Sequence, residues 1–558
     1  MWRASLLCIL LIQFVRVSLQ STAADDHYVA AVVEYHSIWD IKSSPRENVI
    51  ANANKYAEVM KMAALNKVDI IVFPEIGLMN YDRSVFVEVP DPEKKVTPAE
   101  DSTQDLVLQI ISKAAKDNSM YVVVNLHEIH NASEITKYNT NVVLDRSGTI
   151  IARYRKFNLF GEAYLNITKE PEIETFTTDF GVKFGMFICF DILFASPAFD
   201  LARMKDVHDI VFPSAWFSEL PFLTAIQAQS SWSFATDINL LAANHNDVIL
   251  KGSGSGLYRG LRMSPTTSQT NLEGTFVIIG KMPKKGFSYS EDFGTSDQIK
   301  VLGEPTEISM TWLLKENANL YKSELISSDD ILEREEIISD GLKVGAKLKK
   351  KFVETVCQEN LCCEFNITFT SSYYSKSHKP KDIFNALDSF HKFRYRVVVL
   401  DGSRKYVGVK RTSGLDVCGI VSCVNSKQSS CFDIPKENDD NQGESPDGDL
   451  YSTSFDSISI STVYSNTEML IMPNILHSTS KKNTFGTVPK PKEFLFMKTA
   501  ESSLVRANLY FHSPKLITGG LYTRVFSRDS PYPLNQSSVN NLNLILFILV
   551  VTVFFMVK

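Results

Sequence analysis

Val182-Lys183-Phe184-Gly185-Met186-Phe187-Ile188-Cys189-Phe190-Asp191-Ile192-Leu193-Phe194 is the stretch on which the fold turns. Its mostly apolar alternation predicts a strand ending at Cys189. The segment that follows, Ser196 to Met204, has the composition of a short helix. A thiol at the C-terminal end of a buried strand, just before a helix, lies where an open α/β sheet places its chemistry. Cysteine also serves as a small buried hydrophobe, so the rest of the chain has to separate the two uses.

Working outward, residues 28 to about 285 alternate strand and helix patterns. Strands are expected at Tyr28 to Tyr35, Val68 to Phe73, Tyr121 to Leu126, Asp209 to Phe212 and Leu240 to Ala243. Helices are expected at Arg46 to Leu65, with Pro45 just before its start, at Ser102 to Lys116 and at Leu223 to Thr236. Asn141 to Leu144 and Ile150 to Tyr154 flank Asp145-Arg146-Ser147-Gly148, a hairpin with a glycine in its turn. This rhythm predicts a layered α/β sheet. Residues 285 to 305 lose periodicity and read as a boundary. Beyond them the chain is richer in Ser and Thr, with β-type alternation such as Arg394 to Leu400. The acidic stretch Pro435 to Asp449 reads as a solvated loop.

The 558 residues are 44% hydrophobic and 22% charged, with net charge -6. That is ample material for a large core. The mild acidity, with no concentrated basic patch, argues against a nucleic-acid partner.

Arg3, the apolar run Leu6 to Val17 and the small residues Ser21 to Ala24 form a secretory signal pattern, so residues 1–24 are expected to be removed. At the other end, Leu544 to Val557 is apolar, short for a membrane span and closed only by Lys558. Residues 530–558 therefore read as a GPI-attachment signal, placing the mature chain on the outer cell surface by a lipid anchor. A short spanning anchor and a freely secreted chain are the alternatives. Ser527, Asp529 and Ser530, or Ser537 and Ser538, could contain the acceptor site. Sequons at Asn131, Asn166, Asn366 and Asn535 mark candidate N-glycans.

Cysteine usage fits an oxidising compartment. Cys8 leaves with the signal. Cys357, Cys362, Cys363, Cys418, Cys423 and Cys431 lie together in the C-terminal half and are candidates for three disulfides, in any of fifteen pairings. Cys189 is left over, alone in the N-terminal half, and an unpaired thiol in a secreted chain is a candidate reactive group.

A thiol becomes a nucleophile when a base takes its proton or a charge lowers its pKa. His127-Glu128-Ile129-His130 lacks the spacing of a metalloprotease helix and, beside a sequon, reads as loop surface. Two strand ends offer more. Ile70-Ile71-Val72-Phe73-Pro74-Glu75 delivers a carboxylate, and Ile151-Ala152-Arg153-Tyr154-Arg155-Lys156 delivers an ammonium group. A carboxylate can accept the thiol proton, and an ammonium can stabilise an oxyanion.

Phe73-Pro74-Glu75, Tyr154-Arg155-Lys156 with Asn158-Leu159-Phe160-Gly161-Glu162, and Cys189-Phe190-Asp191-Ile192-Leu193-Phe194 resemble the Glu-Lys-Cys triad motifs of the nitrilase superfamily of carbon–nitrogen hydrolases. Val211-Phe212-Pro213-Ser214-Ala215-Trp216, Gly254-Ser255-Gly256-Leu257-Tyr258 and Val356-Cys357-Gln358-Glu359-Asn360-Leu361-Cys362-Cys363 narrow the resemblance to its vanin/biotinidase branch. The resemblance implies an αββα sandwich over residues 25–290, followed by a smaller, β-rich, disulfide-bonded domain over 300–525. It implies that Cys189 attacks a small-molecule amide to give an acyl thioester, with Glu75 as proton acceptor. Lys156 and the backbone N–H after Cys189 would hold the oxyanion. Glu162 would support the lysine or the leaving amine, and Trp216 would line the substrate pocket. No metal or organic cofactor is required. A pantetheinase-like activity is expected. Biocytin hydrolysis is the alternative within the branch, and a catalytically silent adhesion or signalling protein the alternative outside it.

Overall fold

The computed structural model describes residues 20–531 apart from 81, 262–264, 290–292, 295, 309–312, 340, 375–392, 407–408, 410, 434–449, 466–467, 480–483, 488–493, 502–503 and 514. Nearly all of the signal pattern, the acidic stretch from 435 to 449, Asn535 and the apolar C-terminus lie outside the described residues. Among those described, no helix is long and apolar enough to cross a membrane.

Two sheets face each other in the N-terminal half. The first holds β1 (His27–Glu34), β2 (Ile70–Val72), β3 (Tyr121–Asn131), β4 (Ile135–Leu144), β5 (Ile150–Arg155), β13 (Leu272–Pro283) and β14 (Gln298–Glu307), in the order β14-β13-β1-β2-β3-β4-β5. The second holds β6 (Thr175–Thr177), β7 (Lys183–Met186), β8 (Asp209–Ser214), β10 (Asn239–Asn244), β11 (Ser255–Arg259) and β12 (Thr266–Ser268), in the order β12-β11-β10-β8-β7-β6. β9 (Glu219–Leu220) pairs with β15 (Leu314–Lys315) beside them.

Alternation decides the layers. Tyr28, Ala30 and Val32 of β1 join Met186, Ile210, Phe212 and Leu240 in the core between the sheets. Ala31 and Val33 point the other way, onto helices α1 (Pro45–Ala64) and α2 (Leu106–Asn118). Ser44 caps α1 with a reciprocal bond to Glu47, and Pro45 occupies the first turn, where its missing N–H costs nothing. The outer face of the second sheet carries α3 (Ala225–Thr236), whose buried residues include Trp232 and Ile226. The result is the α/β/β/α sandwich. Parallel pairing of β1 with β2, β2 with β3, β7 with β8 and β8 with β10 aligns the C-terminal ends of strands at one rim. β7 approaches β8 closely at Gly185, where a Cβ would stand 2.6 Å from Ile210 Cδ1.

Three expectations need correction. Strand β3 runs on through His127 and Glu128, which are buried, not loop surface. Its partner β4 supplies Thr140 and its neighbour β5 supplies Arg153 and Arg155, and these satisfy Glu128, so polar residues occupy a buried strand. The stretch from 285 to 305 contains most of β14, an edge strand largely exposed to solvent and therefore without an apolar period. After Cys189 the chain forms only short helical turns, Cys189–Leu193, Ala195–Phe199 and Asp200–Ala202, because Phe194 and Ser196 are extended.

The C-terminal half is two antiparallel six-stranded sheets. One holds β16 (Lys322–Leu325), β20 (Arg394–Lys405), β21 (Thr412–Cys423), β23 (Met469–Ser478), β24 (Phe485–Gly486) and β27 (Leu516–Val525). The other holds β17 (Ile331–Ser339), β18 (Leu342–Gln358), β19 (Leu361–Tyr374), β22 (Leu450–Ser465), β25 (Phe494–Glu501) and β26 (Leu504–Ser513). All six candidate cysteines are oxidised, as Cys357–Cys362, Cys363–Cys418 and Cys423–Cys431. The second of these ties β19 to β21 and so joins the two sheets. Helix α3 packs against β23, which places the first C-terminal sheet over the second sheet of the sandwich. Gln227 of α3 donates across this junction to Asn474 and Thr518.

Candidate active site

Glu75, Lys156 and Cys189 converge at the strand rim, each at least nine-tenths buried. Glu75 follows β2, Lys156 follows β5, and Cys189 follows β7. Lys156 Nζ donates to Glu75 Oε1 at 2.6 Å and to Glu162 Oε2 at 2.8 Å. Asn139 Nδ2 donates to the same two carboxylates, at 2.7 Å to Glu75 and 2.5 Å to Glu162. Glu75 Oε2 accepts the N–H of Ala215 at 2.8 Å, just past the end of β8. The thiol of Cys189 sits buried beside the Glu75 carboxylate and the Lys156 ammonium, close enough for both charges to act on it.

The charges follow from this packing. Burial, and then the Glu75 charge, push the Cys189 thiol well above its ordinary pKa, with Lys156 pulling the other way. The resting Cys189 is therefore a neutral thiol beside a carboxylate. Burial also opposes the Lys156 charge, but the Glu162 and Glu75 carboxylates outweigh it and hold the ammonium well above the usual lysine range. Burial likewise disfavours ionised Glu162, yet the Lys156 ammonium keeps its carboxyl below the usual value. A buried ammonium shared by two carboxylates satisfies the rule that buried charges be paired.

Cys189 has φ +47°, in the left-handed region. For a residue with a side chain this conformation costs about 1–3 kcal/mol and persists only where the surroundings enforce it. Asp191 does so. Its Oδ2 accepts Ile188 N–H at 3.0 Å and Tyr154 O–H at 2.8 Å, and its Oδ1 accepts both the backbone and the side-chain N–H of Asn158, at 2.8 and 2.7 Å. Glu75 is held by its own backbone. Its carbonyl accepts His245 Nε2–H at 2.5 Å, and Ile76 N–H donates to Asn125, whose amide in turn donates to Asn139. His245 is neutral, its pKa depressed to about 4 by burial. Asn125, Asn139, Asn158, Asp191 and His245 have no assigned role in the sequence reading. Asn139-Thr140-Asn141, a polar run directly before Val142-Val143-Leu144, is the signal that could have found one of them.

Trp216, next to Ala215, is buried, with its indole N–H donating to the Leu223 carbonyl at 2.9 Å. Asn131, Asn166 and Asn366 are exposed, and Asn166 Oδ1 accepts Lys137 N–H at 2.8 Å. Among the described residues no three or more His, Cys, Asp or Glu side chains are grouped as metal ligands.

A buried carboxylate, ammonium and thiol at the strand rim of an α/β/β/α sandwich are the equipment of a carbon–nitrogen hydrolase of the nitrilase type. Residues 29–248 match the carbon–nitrogen hydrolase family model, and residues 343–529 match the vanin C-terminal domain. Vanin-like protein 1 of Drosophila melanogaster is 29% identical over 95% of this chain and 92% of its own. Vanin-like protein 3 of the same organism is 30% identical over 74% of each chain. Human pantetheinase is 29% identical over 74% of this chain and 77% of its own. The chain belongs to the vanin family of carbon–nitrogen hydrolases and acts on bonds other than peptide bonds.

Proposed function

We propose that the protein is an extracellular pantetheinase-like amidase that works through a cysteine acyl thioester. The observation that carries this reading is the gathering of a buried Cys189 thiol, the Glu75 carboxylate and the Lys156 ammonium at one strand rim, with Lys156 Nζ 2.6 Å from Glu75 Oε1. Because burial disfavours a free thiolate, deprotonation has to accompany attack. Glu75 takes the proton as sulfur bonds to the amide carbon. The oxyanion is held by Lys156 and by the backbone N–H after Cys189. The tetrahedral intermediate collapses, the C–N bond breaks, and the amine leaves with the proton from Glu75. Glu75 then takes a proton from water, whose oxygen attacks the thioester, and a second collapse releases the acid and restores the thiol. Amide plus water becomes acid plus amine. Glu162 and Asn139 keep Lys156 aimed, and Trp216 supplies an apolar wall.

The sandwich that supplies this chemistry runs on through β14 to Glu307, past the expected boundary near residue 300, and the C-terminal domain follows it. The signal pattern and the apolar tail support a chain carried to the outer surface on a lipid anchor. The pantetheinase name of the human relative supports pantetheine as substrate. Purified protein incubated with pantetheine and with biocytin, beside Cys189→Ala, tests the reading. Cysteamine release lost in Cys189→Ala is expected. Equal turnover by both proteins refutes the mechanism, and turnover of biocytin alone refutes the substrate. Release from cells by a phosphatidylinositol-specific phospholipase is expected, whereas retention on the membrane contradicts the lipid anchor.

A further inference from the structure

Three side chains of the C-terminal domain reach the turn that carries Cys189. Tyr406 sets its ring edge-to-face on Phe190, with centroids 4.8 Å apart. Arg524 donates from Nε to the Leu193 carbonyl at 2.7 Å, and Asp529 pins its guanidinium at 2.7 and 2.9 Å. Arg411 donates to Asn158 Oδ1, and its guanidinium carbon stands 3.7 Å from the centre of the Phe194 ring. These contacts fall on residues immediately around the nucleophile and on the asparagine that holds Asp191.

We propose that Arg411 is a positioning residue for the nucleophile, so that the C-terminal domain completes the catalytic turn. The Asn158 amide links the two. Arginine has donors only, so it can face only the amide oxygen. The amide NH2 is then committed to Asp191 Oδ1 and to the Ser196 carbonyl at 3.0 Å. Asp191 in turn fixes Ile188 N–H, one residue before the left-handed Cys189. Asn158 and Arg411 are both more than nine-tenths buried. Removing the guanidinium leaves the Asn158 oxygen without a partner it can replace from water, a loss that a buried amide relieves by shifting. A shift there moves Asp191, and with it the sulfur relative to Glu75 and Lys156. Arg524 and Tyr406 brace the far side of the same turn at Leu193 and Phe190.

This inference rests on Cys189 being the nucleophile, and the test separates the two. Arg411→Met keeps length and apolar bulk but has no donor. Arg411→Gln is a milder second variant that is too short to hold the same bond and stack. Each is assayed for kcat and KM on pantetheine, for the rate at which iodoacetamide alkylates Cys189, and for thermal unfolding. The expected result is a kcat about 10- to 100-fold lower, with KM changed little and alkylation altered in parallel. In an Asn158→Ala background, Arg411→Met is expected to cost no further activity. A folded variant with kcat and alkylation within twofold of wild type overturns the inference, as does a full additional loss in the Asn158→Ala background. Cys189→Ala is run alongside. If it still turns over substrate, the reading of the site fails. If it is inert while Arg411→Met is fully active, only the positioning role fails.

Discussion

Glu75→Gln isolates the charge of the carboxylate with almost no change of shape. In the wild type, Oε1 receives Lys156 and Asn139 at 2.6 and 2.7 Å, and Oε2 receives Ala215 N–H at 2.8 Å. A glutamine has one oxygen, so one of these two donor sets must face an NH2 group. The Lys156 pair is the stronger and claims the oxygen, which leaves the amide nitrogen against Ala215 N–H. Two consequences follow with opposite signs. The proton acceptor is gone, which costs about 10²- to 10⁴-fold in kcat, or about 3–5 kcal/mol of barrier. At the same time a negative charge beside the sulfur disappears while the Lys156 ammonium stays, so the thiol pKa falls. The assay is steady-state turnover paired with the pH dependence of Cys189 alkylation. Turnover within tenfold of wild type refutes Glu75 as the base. A thiol pKa that stays or rises refutes the electrostatic account even if turnover is lost. Lys156 keeps Glu162 as a partner, so the variant is expected to remain folded.

Other outcomes test other parts of the molecule. Glu34 is fully buried, accepts from Asn246 and Ser253, and has its pKa raised by burial to about 7. A carboxyl whose folded pKa exceeds its unfolded value stabilises fully below the unfolded value and loses that contribution as pH rises. Wild type should therefore lose on the order of 3 kcal/mol relative to Glu34→Gln as pH rises from about 4.5 to 7, read by denaturant melts across that range; a pH-independent difference contradicts it. Replacing Cys363 and Cys418 together by Ala opens a cross-link spanning a sequence separation of 55 and should cost about 4 kcal/mol, seen as a lower urea midpoint of the C-terminal transition; a loss below about 1 kcal/mol would show the two sheets need no tie. Iodoacetamide applied in denaturant without reductant should label one thiol in the mature chain, Cys189, and labelling of any of the six downstream cysteines contradicts the pairing.

The α/β rhythm and the strands leading to Glu75, Lys156 and Cys189 were legible because a strand buried on both faces is written as a short, near-continuous apolar run. Counting cysteines isolates Cys189 for a different reason, since the other six sit in one sequence neighbourhood. What periodicity hides is polarity satisfied at a distance. His127 and Glu128 look like loop residues until Arg153, Arg155 and Thr140 are folded against Glu128. Asn139, Asn158 and Asp191 act through partners far away in the chain, so no spacing announces them. Edge strand β14 is quiet for the opposite reason, exposure. The pairing of the six cysteines depended on which strands are neighbours, a property of topology and not of spacing.

The unpaired thiol also bears on how the chain matures. A ribosome adds residues at about 5–20 per second, and the first paired cysteine, Cys357, lies far downstream of Cys189. The last strand of the catalytic sandwich, β14, ends at Glu307, so the layers around Cys189 are complete in sequence before any of the six reactive partners emerges. The sandwich thus has on the order of seconds in which to close over Cys189. Burial then works as a timing device: the free cysteine is out of reach when the oxidation of the other six begins.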